Sequence, residues 1–226
     1  MKFARKLLKS QTTTGLRSAF RQLREEWRLC RRHRKTVKRV PLFLRGSGPL
    51  KLNLGCGPNP KPGWINIDLW HPAADLHLDL REPWPFPDDR MSHVYSEHVF
   101  EHFAFRNEVP RFLAECKRVL CPGGVFNVGV PDSEWPIRAY GNPGNDYWRL
   151  ARDGWHPDWC ETQLDHINYH FRQDGEHKYA WDAETLTRSL LKAGFTSVAR
   201  REFDPDLDAE SRRLGTLYMR AIKPAN

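Results

Sequence analysis

A chain of 226 residues with 39% apolar content is long enough for one domain with a substantial core plus an appendage, and a second full domain is not expected. None of its apolar runs approaches the roughly 18 residues needed to cross a bilayer, and five cysteines without a Cys-x-x-Cys pair argue against a disulfide framework or a zinc ribbon. The net charge of +8 is uneven: residues 1–40 hold fourteen Lys or Arg against Glu25 and Glu26, which leaves the remainder of the chain at −4.

In chain order, residues 1–15 lack the apolar core of a secretory signal and are expected to be mobile. Leu16, Phe20, Leu23 and Trp27 then recur at intervals of four, three and four, which predicts one apolar stripe on an Arg-rich helix. Such a helix can pack its stripe on its own domain, lie on an anionic membrane or touch nucleic acid. The first is the plainest expectation, with membrane ahead of RNA. Pro41 to Pro49 reads as a linker, so residues 1–48 form a basic extension and 49–226 the main domain.

The segment Lys51 to Asp68 organises that domain. Leu52-Asn53-Leu54 predicts a buried strand, Gly55-Cys56-Gly57 a turn whose small residues let a ligand approach the backbone, and Trp64 to Asp68 a second strand ending in a carboxylate. Ligands of open α/β sheets bind at this edge, and an ionised carboxylate there can accept both hydroxyl protons of a ribose. Leu-Asn-Leu-Gly-Cys-Gly resembles the first motif of class I S-adenosylmethionine-dependent methyltransferases. That resemblance implies a doubly wound seven-stranded Rossmann-like sheet with a terminal antiparallel hairpin and S-adenosyl-L-methionine as cofactor. It implies backbone contacts from Gly55, Cys56 and Gly57, and Asp68 on the ribose. The ten residues between Gly57 and Asp68 are too few for the usual helix, and a loop with Pro58, Pro60, Pro62 and Gly63 takes its place.

Leu69-Trp70 would flank an adenine, and the alternation of Leu76 to Leu80 predicts a third strand, whose Asp79 and Leu80 the resemblance places near the adenine amino group. Pro83-Trp84-Pro85-Phe86-Pro87-Asp88 is similar to a connector of the same family. It leads into a fourth strand, Met91 to Tyr95, ending at Ser96-Glu97-His98. Ser96 and Glu97 are carried over as cofactor contacts. Glu101-His102 follows as in many relatives, with His102 expected to cap or pack beside the next helix. The spacing predicts a helix over Val109 to Leu120 closed by Pro122-Gly123-Gly124, a fifth strand over Val125 to Val130, a helix over Ala183 to Ala193, and strands at Thr196 to Phe203 and Gly215 to Ile222.

Residues 132–181 break this alternation and carry ten aromatic residues and four histidines. The resemblance makes them the acceptor pocket. Transfer to a hydroxyl needs alignment and a proton acceptor near pH 7, for which the candidates are His177, His166 and His98, with Asp165 or Glu176 to orient a ring. Trp135, Tyr147, Trp148, Trp155 and Trp159 read mainly as packing. His166 and His170 are four apart but lack the Glu of a zinc-protease motif, so no metal is expected.

The reading is therefore a methyltransferase acting on a small-molecule, sugar or glycolipid acceptor, at oxygen. The resemblance is to small enzymes associated with polysaccharide or glycolipid assembly. The location expected is cytoplasmic, with peripheral contact at the inner face of a membrane through residues 16–39; nucleic acid is not expected. Three alternatives stay open: an RNA methyltransferase using the basic tail, a non-catalytic cofactor-binding or interaction protein, and a nicotinamide oxidoreductase. The last is disfavoured by Pro58-Asn59-Pro60 where its third glycine belongs.

Overall fold

The computed structural model describes residues 14–46 and 48–225; the expectation for residues 1–13 lies outside them. Strands β1 (Leu50–Leu54), β2 (Ile65–Ile67), β3 (Met91–Glu97), β4 (Leu120–Pro131), β5 (Thr196–Arg200) and β6 (Thr216–Ile222) form one sheet in the order β2-β1-β3-β4-β6-β5. The first four pair in parallel, and β6 runs antiparallel between β4 and β5, giving the Rossmann-like sheet with its terminal hairpin. Leu52 and Leu54 of β1, which lies between β2 and β3, are buried, and so are Ile65 and Ile67 of the edge strand β2, as parallel strands covered on both faces require.

Helices are α1 (Thr14–Val37), α2 (Glu108–Val119), α3 (Glu134–Ala139), α4 (Asp146–Leu150), α5 (Gln163–Arg172) and α6 (Ala183–Lys192). In α2 the Asn107 side chain caps the Glu108 amide, and Val109, Phe112, Leu113, Cys116 and Val119 bury one stripe in the core. The insertion folds into α3, α4 and α5 around a small core of its own, formed by Ala139, Tyr147, Trp148 and Ala151. Thr162 and Asp165 start α5 with a reciprocal capping box, so Asp165 serves the helix and does not orient a catalytic ring.

The described residues contain six strands, not seven. Leu76 and Leu78 are buried as the alternation predicts, but the segment makes only an isolated bridge between Leu76 and Ile67. Beyond it the backbone finds side-chain partners: the His77 ring meets Asp68 O at 3.2 Å, and the Asp79 amide donates to His33 Nδ1 at 3.1 Å. No helix links β1 to β2. The Pro-rich loop is tied instead by a buried amide pair, Asn53 Nδ2 donating to Asn66 Oδ1 at 2.9 Å.

The position of α1 reverses the plainest expectation for it. Leu16, Phe20, Leu23 and Trp27 are 40–66% exposed, while the other side of the carboxyl-terminal half docks on the domain through polar groups. Arg32 donates to Leu69 O at 3.0 Å and lies over the Trp70 ring. Arg81 joins Glu26 of the helix (2.9 Å) to Asp79 of the domain (2.7 Å). Burial pushes the Asp79 carboxyl up, but its hydrogen bonds with Arg81 outweigh this and hold it below the usual carboxylate range. Replacing Arg81 by Ala should release α1 without unfolding the sheet: amide exchange within 24–33 is expected to accelerate roughly tenfold or more, with β3 and β4 amides unchanged.

Candidate active site

The carboxyl ends of β1, β2 and β3 open into a cavity of about 550 Å³. Gly55 and Gly57 both have positive φ, +64° and +48°, and line it. A methyl on Gly55 would collide with the Val99 side chain, whereas one on Gly57 would meet nothing, so the second glycine leaves its backbone open to a ligand. Asp68 collects three amides: Gly57 N–H donates to Oδ2 at 3.0 Å, and those of Trp70 and His71 donate to Oδ1 at 2.8 and 2.7 Å. A carboxylate offers about four lone-pair directions, so Asp68 is fixed in place and retains capacity for a further donor. Leu69, Leu78, Asp79 and Leu80 line the same cavity, and Glu26 and Leu29 of α1 close one side. Apolar leucines beside a fixed carboxylate and open backbone suit a nucleoside-sized ligand.

Three residues expected at the cofactor lie outside this lining. Cys56 is 4% exposed, and burial, followed by the nearby Asp68 and Asp75 carboxylates, pushes its thiol up to about 11. Ser96 is fully buried in β3. Glu97 accepts from Tyr218 Oη at 3.1 Å and pairs with Arg212, so it braces β3 against β6 and the loop before it.

A second cavity of about 330 Å³ adjoins the first, and His98 and Arg212 line both. Much of the rest of its wall comes from the insertion, including Trp155, His156, Tyr169, Gln173 and His177, and the segment before β6 supplies Ser211, Leu214 and Gly215. His98 sits at the end of β3 with φ +53°, its Nε2 2.9 Å from Thr216 Oγ1. Burial holds its ring well below the ordinary imidazole range, so it is neutral at pH 7.

Between the cavities lies Glu101, 1% exposed, with no hydrogen bond to either carboxyl oxygen among the described residues. Its Oε1 stands 3.8 Å from His98 Nδ1 and 3.9 Å from the Nε2 atoms of His102 and His177. Burial pushes the Glu101 carboxyl up to about 8 and His177 down to about 4. His102, expected to be structural, thus belongs to the site.

His98 and His177 come together as candidates, and His166 does not. His166 is 3% exposed, pairs with His156 through their Nδ1 atoms at 3.0 Å, and lines neither cavity. His170 lines the second cavity and hydrogen-bonds Tyr147 Oη. Two groups have metal-ligand chemistry, Glu101-His102-His177 and His156-Cys160-His166, each with ligand atoms within 4.8 Å of one another. Glu101 and Arg212 were not among the sequence candidates. Glu101 was visible in the Glu-His pair, whereas nothing local marks Arg212.

Residues 65–128, from β2 through most of β4, match the family model described as "Methyltransferase domain". No curated protein matches the chain. Among solved structures, a SAM-dependent methyltransferase from Archaeoglobus fulgidus is 16% identical, with 88% of this chain and 94% of that one covered, at a TM-score of 0.49. One from Mesorhizobium loti is 19% identical, covering 79% and 94%, at 0.47. A putative S-adenosylmethionine-dependent methyltransferase from Listeria monocytogenes is 20% identical, covering 78% and 92%, at 0.45.

The buried histidines make stability depend on pH. Burial lowers His156 to about 4 and His170 to about 3. As pH falls below about 6.5 the unfolded chain takes up protons that these sites refuse. Each then removes at most about 1.4 kcal/mol of stability per pH unit until its folded value is reached. Urea midpoints should fall steadily from pH 6.5 to 4.5, with a shallower slope in His156→Gln and His170→Gln.

Proposed function

We propose that this chain, an S-adenosylmethionine-dependent methyltransferase, moves the methyl group to a hydroxyl oxygen of a sugar, glycolipid or comparable small polyhydroxylated acceptor. The supporting observation is the shared wall: His98 and Arg212 line both the cavity at the strand ends and the cavity of the insertion. The acceptor cavity offers His156, Tyr169, Gln173, His177 and Ser211 as hydrogen-bonding groups and Trp155 as an aromatic wall. That combination suits a hydroxylated ring.

The cofactor supplies a methyl already activated on a sulfonium. Asp68 would hold the ribose, Gly57 would give its backbone to the cofactor, and Leu78 and Leu80 would pack the adenine. Alignment across the shared wall supplies much of the rate, and a proton acceptor adds typically about 10²–10⁴-fold. His98 takes that role because it is neutral, touches both cavities and has its ring fixed by Thr216.

Calorimetric titration with S-adenosylmethionine and S-adenosylhomocysteine should show binding by the wild type, weakened roughly tenfold or more in Asp68→Ala. Labelled cofactor should then transfer methyl to a glycan or glycolipid fraction, with His98→Ala still binding cofactor but losing turnover. Transfer confined to RNA or protein would overturn the acceptor class, and cofactor binding without transfer to any fraction would favour a binding protein.

A peripheral membrane contact is favoured by α1. Its exposed stripe of Leu16, Phe20, Leu23 and Trp27 is flanked by Arg17, Arg21, Arg24 and Arg28, the pattern of a helix lying in an anionic interface. No helix among the described residues is long and apolar enough to cross a membrane. Co-flotation with vesicles containing phosphatidylglycerol, and its loss in the double variant Phe20→Ser with Leu23→Ser, is the expected result; equal flotation with neutral vesicles would remove the charge component.

A further inference from the structure

We infer that Glu101, His102 and His177 form a binding site for one divalent transition cation at the boundary between the two cavities. The inference begins with tautomers. His102 Nδ1 lies 3.1 Å from Glu176 O, and His177 Nδ1 lies 3.0 Å from His170 O. A carbonyl only accepts, so both Nδ1 atoms carry the proton and both Nε2 atoms present a bare lone pair. Each of those Nε2 atoms lies 3.9 Å from Glu101 Oε1. Three acceptors therefore gather with their ligand atoms within 4.8 Å of one another, around a buried Glu101 and a partly exposed His102, and no hydrogen bond from a described residue reaches the carboxyl group.

Acceptors gathered this way need a positive species between them. The neighbouring cations are engaged elsewhere: Arg212 holds Glu97 O at 2.8 Å, and Lys178 holds Glu108 at 3.0 Å. A proton on Glu101 would satisfy one imidazole and leave the other facing oxygen. A cation satisfies all three. With two sides of 3.9 Å and the third no longer than 4.8 Å, a point equidistant from the three atoms lies at most roughly 2.5 Å from each, within a small adjustment of the ~2.0–2.2 Å of zinc bonds to imidazole nitrogen and carboxylate oxygen. The backbone carbonyls behind the two rings are the outer contacts that fix ligating histidines. Two imidazoles and one carboxylate leave coordination positions open, and they suit zinc, cobalt or manganese better than magnesium.

The use of the site, though not its existence, rests on methyl transfer to oxygen. His102 lines the cofactor cavity and His177 the acceptor cavity, so the cation stands where an acceptor hydroxyl must come to rest. Ligated there, the hydroxyl is acidified. Its proton passes to His98 Nδ1, the O–CH₃ bond forms, the S–CH₃ bond breaks, and sulfur keeps the electron pair.

Full-length protein stripped with chelator and titrated with Co²⁺ should bind one equivalent with visible bands and no thiolate charge-transfer band. Glu101→Gln and, separately, His177→Asn should weaken binding roughly tenfold or more. S-adenosylmethionine binding, followed by calorimetry in the same variants, should persist and shows that they remain folded. Cys160→Ser is the control, because the His156-Cys160-His166 group would give a thiolate band. No Co²⁺, Zn²⁺ or Mn²⁺ binding by the wild type, or binding lost only in Cys160→Ser, overturns the site. Intact metal binding without methyl transfer to oxygen would instead overturn the acceptor reading and leave the metal site standing.

Discussion

The arrangement of this molecule depends on how it dispenses with a helix. Between β1 and β2 a connecting helix would satisfy its own amides and carbonyls, and a proline-rich loop cannot. Asn66 assumes that task from inside the sheet edge. Its oxygen accepts from Asn53 and from the Lys61 amide, and its nitrogen donates to Lys61 O, Trp64 O and Asp75. A buried amide so fully used ties the loop to the sheet edge, and low local dielectric makes each lost partner costly. Asp68 then sits at a fixed height above β2, and its three amide bonds carry that rigidity into the glycine turn.

That bracing explains where sequence and structure agree. The glycine turn, Asp68, the apolar stripe of α2 and the terminal hairpin were legible because each follows from local periodicity or turn chemistry. Leu76 to Leu80 was misleading for an instructive reason: alternating leucines report burial on one side, and burial does not require a backbone partner. There α1 and the His77 ring supply the contacts a strand would have supplied. The stripe on α1 misled in the opposite sense. Its spacing declared a helix correctly, but which face meets the domain was decided by Glu26, Arg32 and His33, whose partners lie 37–55 residues away.

The candidate histidines show the same limit. Composition identified an unusual concentration of imidazoles, yet only the packing of α5 and the turn after it separates His177 from His166. His166 is drawn toward His156 inside the insertion, while His177 is turned toward Glu101 by His170 O. The buried carboxylate at the centre was hidden in a Glu-His pair that reads locally as an ordinary helix approach. A carboxyl group held away from water without a donor is an expensive arrangement, and a fold keeps such an expense where chemistry is done.

The docking of α1 links two surfaces that look unrelated. Its inner side helps wall the cofactor cavity through Glu26 and Leu29, and its outer side presents Phe20, Leu23 and Trp27 to the surroundings. One helix would thus be contacted from opposite sides by a ligand in the cavity and by whatever covers the stripe. When either occupant shifts the balance between docked and lifted helix, reciprocity requires that it alter the other's affinity by the same factor. If the stripe meets a membrane as proposed, where the protein is stationed and how long it retains its cofactor become, through this helix, a single equilibrium.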